Sequence, residues 1–117
     1  MNKVEEQKAI SLKSGTLYIE CPLNLKVGIS KNILNKELTM PINAMRYLPS
    51  KDTTGWYIWA GEEFSESNDF FVALHAEHLE KYCPLIIKYL GLPPGWRVLI
   101  DDSAYENVWY DSSLLVE

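Results

Sequence analysis

Two histidines three residues apart, His75 and His78, with Glu77 between them, come nearest to metal chemistry in this chain. Imidazoles at i and i+3 of a helix can share one ion. The helical zinc-protease signature, however, sets its histidines at i and i+4 with a glutamate directly after the first. The run His75-Ala76-Glu77-His78 departs on both counts, and a third ligand would have to be Glu63 or Asp69, brought in by the fold. The simpler expectation is a pair of partly buried histidines satisfied by hydrogen bonds. Asp101 and Asp102, with Glu106 and Asp111 nearby, form a second carboxyl-rich group. Acid–base work needs a carboxyl with a raised pKa in a cleft, whereas adjacent aspartates are explained by turn formation alone. GxSxG, P-loop and GxGxxG patterns are absent, so no nucleophile and no phosphate cradle is expected. Cys21 and Cys83 have no CxxC or Cys/His pairing and read as reduced thiols, Cys83 as a buried one. No catalytic residue and no cofactor is expected. A small metal-dependent enzyme using His75 and His78, or a small-ligand-binding module, stands as the alternative reading.

Charge narrows the partners. The net charge of −5 is unevenly placed: residues 1–60 carry +3 and residues 61–117 carry −8. From Glu62 to Glu80 there are six acidic residues and no basic one: Glu62, Glu63, Glu66, Asp69, Glu77 and Glu80. A surface of this sign repels phosphate backbones and attracts a basic protein. No apolar run approaches the roughly 20 residues that span a bilayer, and the first residues lack an apolar signal-peptide core, so a cytoplasmic location is expected.

The elements that must position these groups follow from periodicity. Phe71, Leu74, His75, His78, Leu79 and Tyr82 share one stripe at helical spacing, which predicts a helix over 70–81. Both histidines then face the core, and Ala76, Glu77, Glu80 and Lys81 are wetter. Pro84 suits the first position of a second helix with Ile86, Ile87 and Leu90 inward, and Pro94-Gly95 supplies the centre of a type II turn. Strands are expected at 16–20, 25–29, 41–48, 56–60, 97–100 and 107–110. The last four form two antiparallel hairpins, 41–48 with 56–60 and 97–100 with 107–110. Residues 1–14 read as a loose arm or a short helix, and 30–37 as one helical turn. Because strand neighbours alternate faces, Trp56 and Ile58 oppose Tyr57 and Trp59, which sets one aromatic group outside the core or under a second cover. The order predicts an α+β fold: a mostly antiparallel sheet with two consecutive helices packed on one face, in a single domain over 1–117.

The runs GWYIWAGEE (Gly55 to Glu63), DFF, HAEHL, KYLGLPPGWRVLID (Lys88 to Asp101) and YENVWYDSSLL (Tyr105 to Leu115) resemble the bacterial immunity-protein-33-like family. The resemblance covers residues 55–115. It implies a protein that protects against a polymorphic toxin by binding and occluding it, and it brings no catalytic residue with it. The expected partner is a cognate toxin with a basic surface, met by Glu62, Glu63, Glu66, Asp69, Glu77 and Glu80 together with Tyr57 and Trp59. Charge would steer the encounter and rings would anchor it.

Overall fold

A computed structural model describes residues 3–62 and 70–116. Its centre is a six-stranded sheet formed by β1 (Lys26–Ser30), β2 (Ile42–Arg46), β3 (Thr53–Ala60), β4 (Phe71–His75), β5 (Trp96–Ile100) and β6 (Glu106–Tyr110). The order across the sheet is β4-β1-β3-β2-β5-β6. Only β1 and β3 run parallel; every other neighbouring pair is antiparallel. Both expected hairpins are present, with Ala44 opposite Ile58 in one and Val98 opposite Val108 in the other. Pro94-Gly95 makes the expected turn into β5: Gly95 has φ +97°, and the Trp96 N–H donates to the Pro93 carbonyl at 3.3 Å.

Alternation sorts the sheet into two faces. Val27, Ile29, Ile42, Ala44, Trp56, Ile58, Val98 and Ile100 point to one side and are buried there. The same cluster takes in Ile33 from α2 (Lys31–Leu34), Leu79 from α3 (Leu79–Tyr82), and Ile86, Tyr89 and Leu90 from the 3₁₀ segment Pro84–Tyr89 and its end. Truncating to Ala a side chain as enclosed as Ile29, Ile42 or Ile58 costs about 2–5 kcal/mol. Residues 3–13 form α1 (Lys3–Lys13), whose buried residues are Gln7 and Ser11. Gln7 donates through Nε2 to the Ile87 carbonyl and Ser11 through Oγ to the Gly91 carbonyl, so polar contacts tie α1 to the 84–91 segment.

Two helical segments do follow one another on this face, but the first begins at a 3₁₀ turn, Ala76–His78, and not at residue 70. Phe71–His75 is instead the edge strand β4, paired with β1 in unbroken register. The ladder continues through the Ala76 N–H to the Leu25 carbonyl and the Glu77 N–H to the Leu23 carbonyl. Ala76, expected to be wet, is therefore buried. Residues 16–20 form no strand. Their main chain is used otherwise: the Ile19 N–H donates to the Gly91 carbonyl, and the carbonyls of Ile19 and Glu20 accept from Arg46. Cys21 and Cys83 are free and buried, and burial pushes both thiols up to about 11.

Candidate functional site

The face of the sheet away from the helices is built from aromatic residues. Cross-strand register puts Ala73, Gly28, Tyr57, Met45, Arg97 and Trp109 in one row across it. Tyr57 is the hub. Its ring meets Tyr47 edge-on at 5.5 Å and Phe71 at 5.1 Å, and Phe71 in turn contacts Trp59 at 6.3 Å and Phe70 at 4.8 Å. Edge-to-face pairs of this kind each add about 0.5–1.5 kcal/mol beyond the area they bury. Gly28 makes the arrangement possible, because a Cβ there would stand 2.7 Å from the Tyr57 ring. Beside that ring lies a shallow hollow lined by Lys26, Gly28, Thr53, Phe71 and Ala73. Farther along, the Arg97 guanidinium lies 5.4 Å from the centre of the Trp109 ring and donates to Asp111 at 3.1 Å. Met45, Trp59 and Leu114 form the buried floor of this face, and Tyr47, Tyr57, Phe70 and Phe71 are half-buried against it.

Of the aromatic anchors expected from sequence, Tyr57 is half-buried on this face, whereas Trp59 lies on the same side but is only 4% exposed. Tyr47 and Phe71 belong to the same surface. Tyr47 lies in the strand expected at 41–48, whereas Phe71 falls in the segment expected to be a helix. Among the carboxylates, Glu62 is exposed just past the end of β3. Glu63, Glu66 and Asp69 lie outside the described residues. Glu77 and Glu80 are exposed beyond the opposite end of β4, where Glu80 pairs with Lys3 and Glu77 lies 3.6 Å from His78 Nε2. Of the described carboxylates, Glu62 thus lies past β3, two strands from β4, and the pair Glu77/Glu80 follows the His75 end of β4.

His75 and His78 are both exposed, which corrects the expectation that they face the core. In a strand, His75 alternates with Val72 and Leu74 and falls on the outer face with Phe71 and Ala73; only Val72 and Leu74 pack inward. Their ring centres are 6.3 Å apart. Among the described residues, no group of three His, Cys, Asp or Glu side chains is placed to hold a metal ion.

The second carboxyl group is spent on turns and ties. Asp101 Oδ1 accepts from the N–H groups of Ser103 and Tyr105, and Asp111 Oδ1 accepts from the N–H and hydroxyl of Ser113. Glu106 accepts from the Tyr89 hydroxyl at 2.5 Å and from Lys13 Nζ at 3.0 Å. Those donors hold the Glu106 carboxyl below its ordinary range, Tyr89 contributing most, while burial first and Glu106 second push the Tyr89 phenol up.

The family model of the Imm33-like domain matches residues 6–111, nearly the whole chain, and the protein belongs to that family. It is an immunity-protein family, non-enzymatic, whose members are expected to meet a protein partner such as a toxin. The match takes in α1 from Glu6 onward and β1 to β3, as well as the later runs that carry the resemblance in the sequence as far as Asp111. No curated protein and no solved structure matches the chain.

Proposed function

We propose that this protein binds a cognate bacterial toxin in the cytoplasm and neutralises it by occlusion. The aromatic face, which among the described residues carries only the short 3₁₀ turn Ser112–Leu115, provides the anchor, and Glu62 provides the acidic rim. The observation that carries this reading is the Tyr47–Tyr57–Phe71 cluster, which lies half-buried on the face of the sheet opposite α1, α2 and α3. Large rings held rigidly by their neighbours lose little entropy on binding and tend to dominate protein interfaces. Carboxylates at the rim of such a patch raise the encounter rate with a cationic surface and add little to its lifetime. The partner expected is a toxic domain with a basic surface, encoded beside this gene.

The test is capture of that domain by the purified protein. Tyr57→Ala should weaken capture by shortening the lifetime of the complex. Charge reversal of Glu62, Glu63 and Glu66 to Lys should slow association and remove its salt dependence. Capture untouched by both changes would place the contact on the helical side of the molecule. Failure of the neighbouring toxin to bind at all would sink the reading itself.

A further inference from the structure

β6 is an edge strand with neither a bulge nor a proline to block it. Its register against β5 is unbroken from Trp96 opposite Tyr110 to Ile100 opposite Glu106, with no bulge, no proline and no lysine in the strand. The hydrogen-bond parity follows from the ends of the ladder. The Asp111 N–H donates to the Gly95 carbonyl and the Asp101 N–H to the Tyr105 carbonyl. In an antiparallel pair, bonded and non-bonded positions alternate. Asn107 and Trp109 therefore turn their main-chain groups toward β5, and Glu106, Val108 and Tyr110 turn theirs outward. Those outward groups have no main-chain partner among the described residues. Tyr105 and Tyr110, flanking the edge, are 51% and 52% exposed.

We infer that this edge pairs with β6 of a second copy of the chain, antiparallel about a two-fold axis at Val108, joining two six-stranded sheets into one. Centring on Val108 makes Val108 face its own counterpart and sets Glu106 opposite Tyr110 of the other copy on both sides of the axis. All three outward positions then become bonded pairs, giving about six main-chain hydrogen bonds. The charge pattern favours a like partner at this edge. Copies of net charge −5 repel generally. At β6, however, each carboxylate already has a cation of its own chain, Glu106 with Lys13 at 3.0 Å and Asp111 with Arg97 at 3.1 Å. Within Glu106–Tyr110, self-pairing brings no unmatched charge together.

Sedimentation analysis of the whole chain over a concentration series tests this. A species of twice the chain mass is expected by about 100 μM, as mass action requires of a modest interface. Val108→Pro removes an outward donor at a place where an edge strand tolerates proline. Asn107→Lys sets a cation at an exposed position on either side of the axis. Both variants should be monomeric over the same range while keeping the circular dichroism of the parent; Asn107→Lys decides the matter if the proline variant fails to fold. A chain monomeric throughout, or a dimer that persists in the folded variants, overturns the inference. A monomer whose edge variants weaken toxin capture also overturns it, and assigns the edge to the toxin.

Discussion

Arg46 carries a charge into the core and satisfies it without a carboxylate. Its side chain is 2% exposed, and its five donor contacts all end on main-chain carbonyls: Thr54 from Nε, Ile19, Leu90 and Leu92 from Nη1, and Glu20 from Nη2. The guanidinium also lies 5.7 Å from the Trp56 ring centre, and Trp56 Nε1 donates to the same Leu90 carbonyl. One side chain thus fastens the loop 19–20, the hairpin, and the end of the helical segment together. Burial pushes its pKa down, but an arginine starts so high that it stays charged. Replacement by Met would leave several buried carbonyls unpaired, so Arg46→Met is expected to cost about 3–5 kcal/mol or abolish folding. Arg46→Lys should recover only part of that, since an ammonium donates from one point and the carbonyls converge from several sides. Urea titration of both variants checks this, and a lysine variant as stable as the parent would show that charge alone suffices. Nothing in the sequence marks Arg46, because its partners are carbonyls, and every residue has one. The aromatic residues were more legible. Alternation alone separates Trp56 from Tyr57, and the structure separates them in the same way.

At the scale of elements, the tie between α1, the 84–89 segment and β6 passes through Glu106, held by Lys13 and Tyr89. Because the folded carboxyl titrates below its ordinary value of 4.5, its contribution to stability is fully present above that value. It is lost as pH falls from there through the folded value. Asp111, lowered first by the Ser113 hydroxyl, acts in the same direction. Urea midpoints measured from pH 7 down to about pH 3 should therefore decline for the parent. Tyr89→Phe removes the main donor, so it should start lower at pH 7 and decline less across the acid range. Two parallel curves would mean that the tie does not couple to folding. The hairpins, the strand at 25–29 and the turn at Pro94-Gly95 were readable because local alternation and turn chemistry decide them. β4 was not, since Phe71, Leu74 and His75 fit a helix while Phe71, Ala73 and His75 fit a strand, and pairing with distant Val27 and Ile29 decides between the two. α1 left a loose arm or a short helix open for the same kind of reason: its buried face is Gln7 and Ser11, which give no apolar stripe.

For the whole molecule, the sheet order redistributes the charge that the chain separates into halves. The strands of the positive half, β1, β3 and β2, occupy the middle, and those of the acidic half stand at both sides, β4 on one and β5-β6 on the other. α1 then crosses back, its lysines reaching Glu80 on one side and Glu106 on the other. The four inner strands β1, β3, β2 and β5 have a neighbour on each side, so amides of both parities are bonded within the sheet. At β6 only every second amide is. Hydrogen exchange by NMR on a dilute sample should show this directly: slow exchange along β2 and β3, and along β6 slow exchange at Asn107 and Trp109 but fast at Glu106, Val108 and Tyr110. In β4, Val72 and Leu74 should be slower than Ala73, since the Ala76 N–H to Leu25 carbonyl bond sets the parity there. Uniform protection along β6 at a concentration where sedimentation finds single chains would mean that the chain covers its own edge. Protection that appears at Glu106, Val108 and Tyr110 only as concentration rises, with Asn107 and Trp109 protected throughout, is the pattern expected of an edge that finds a second copy.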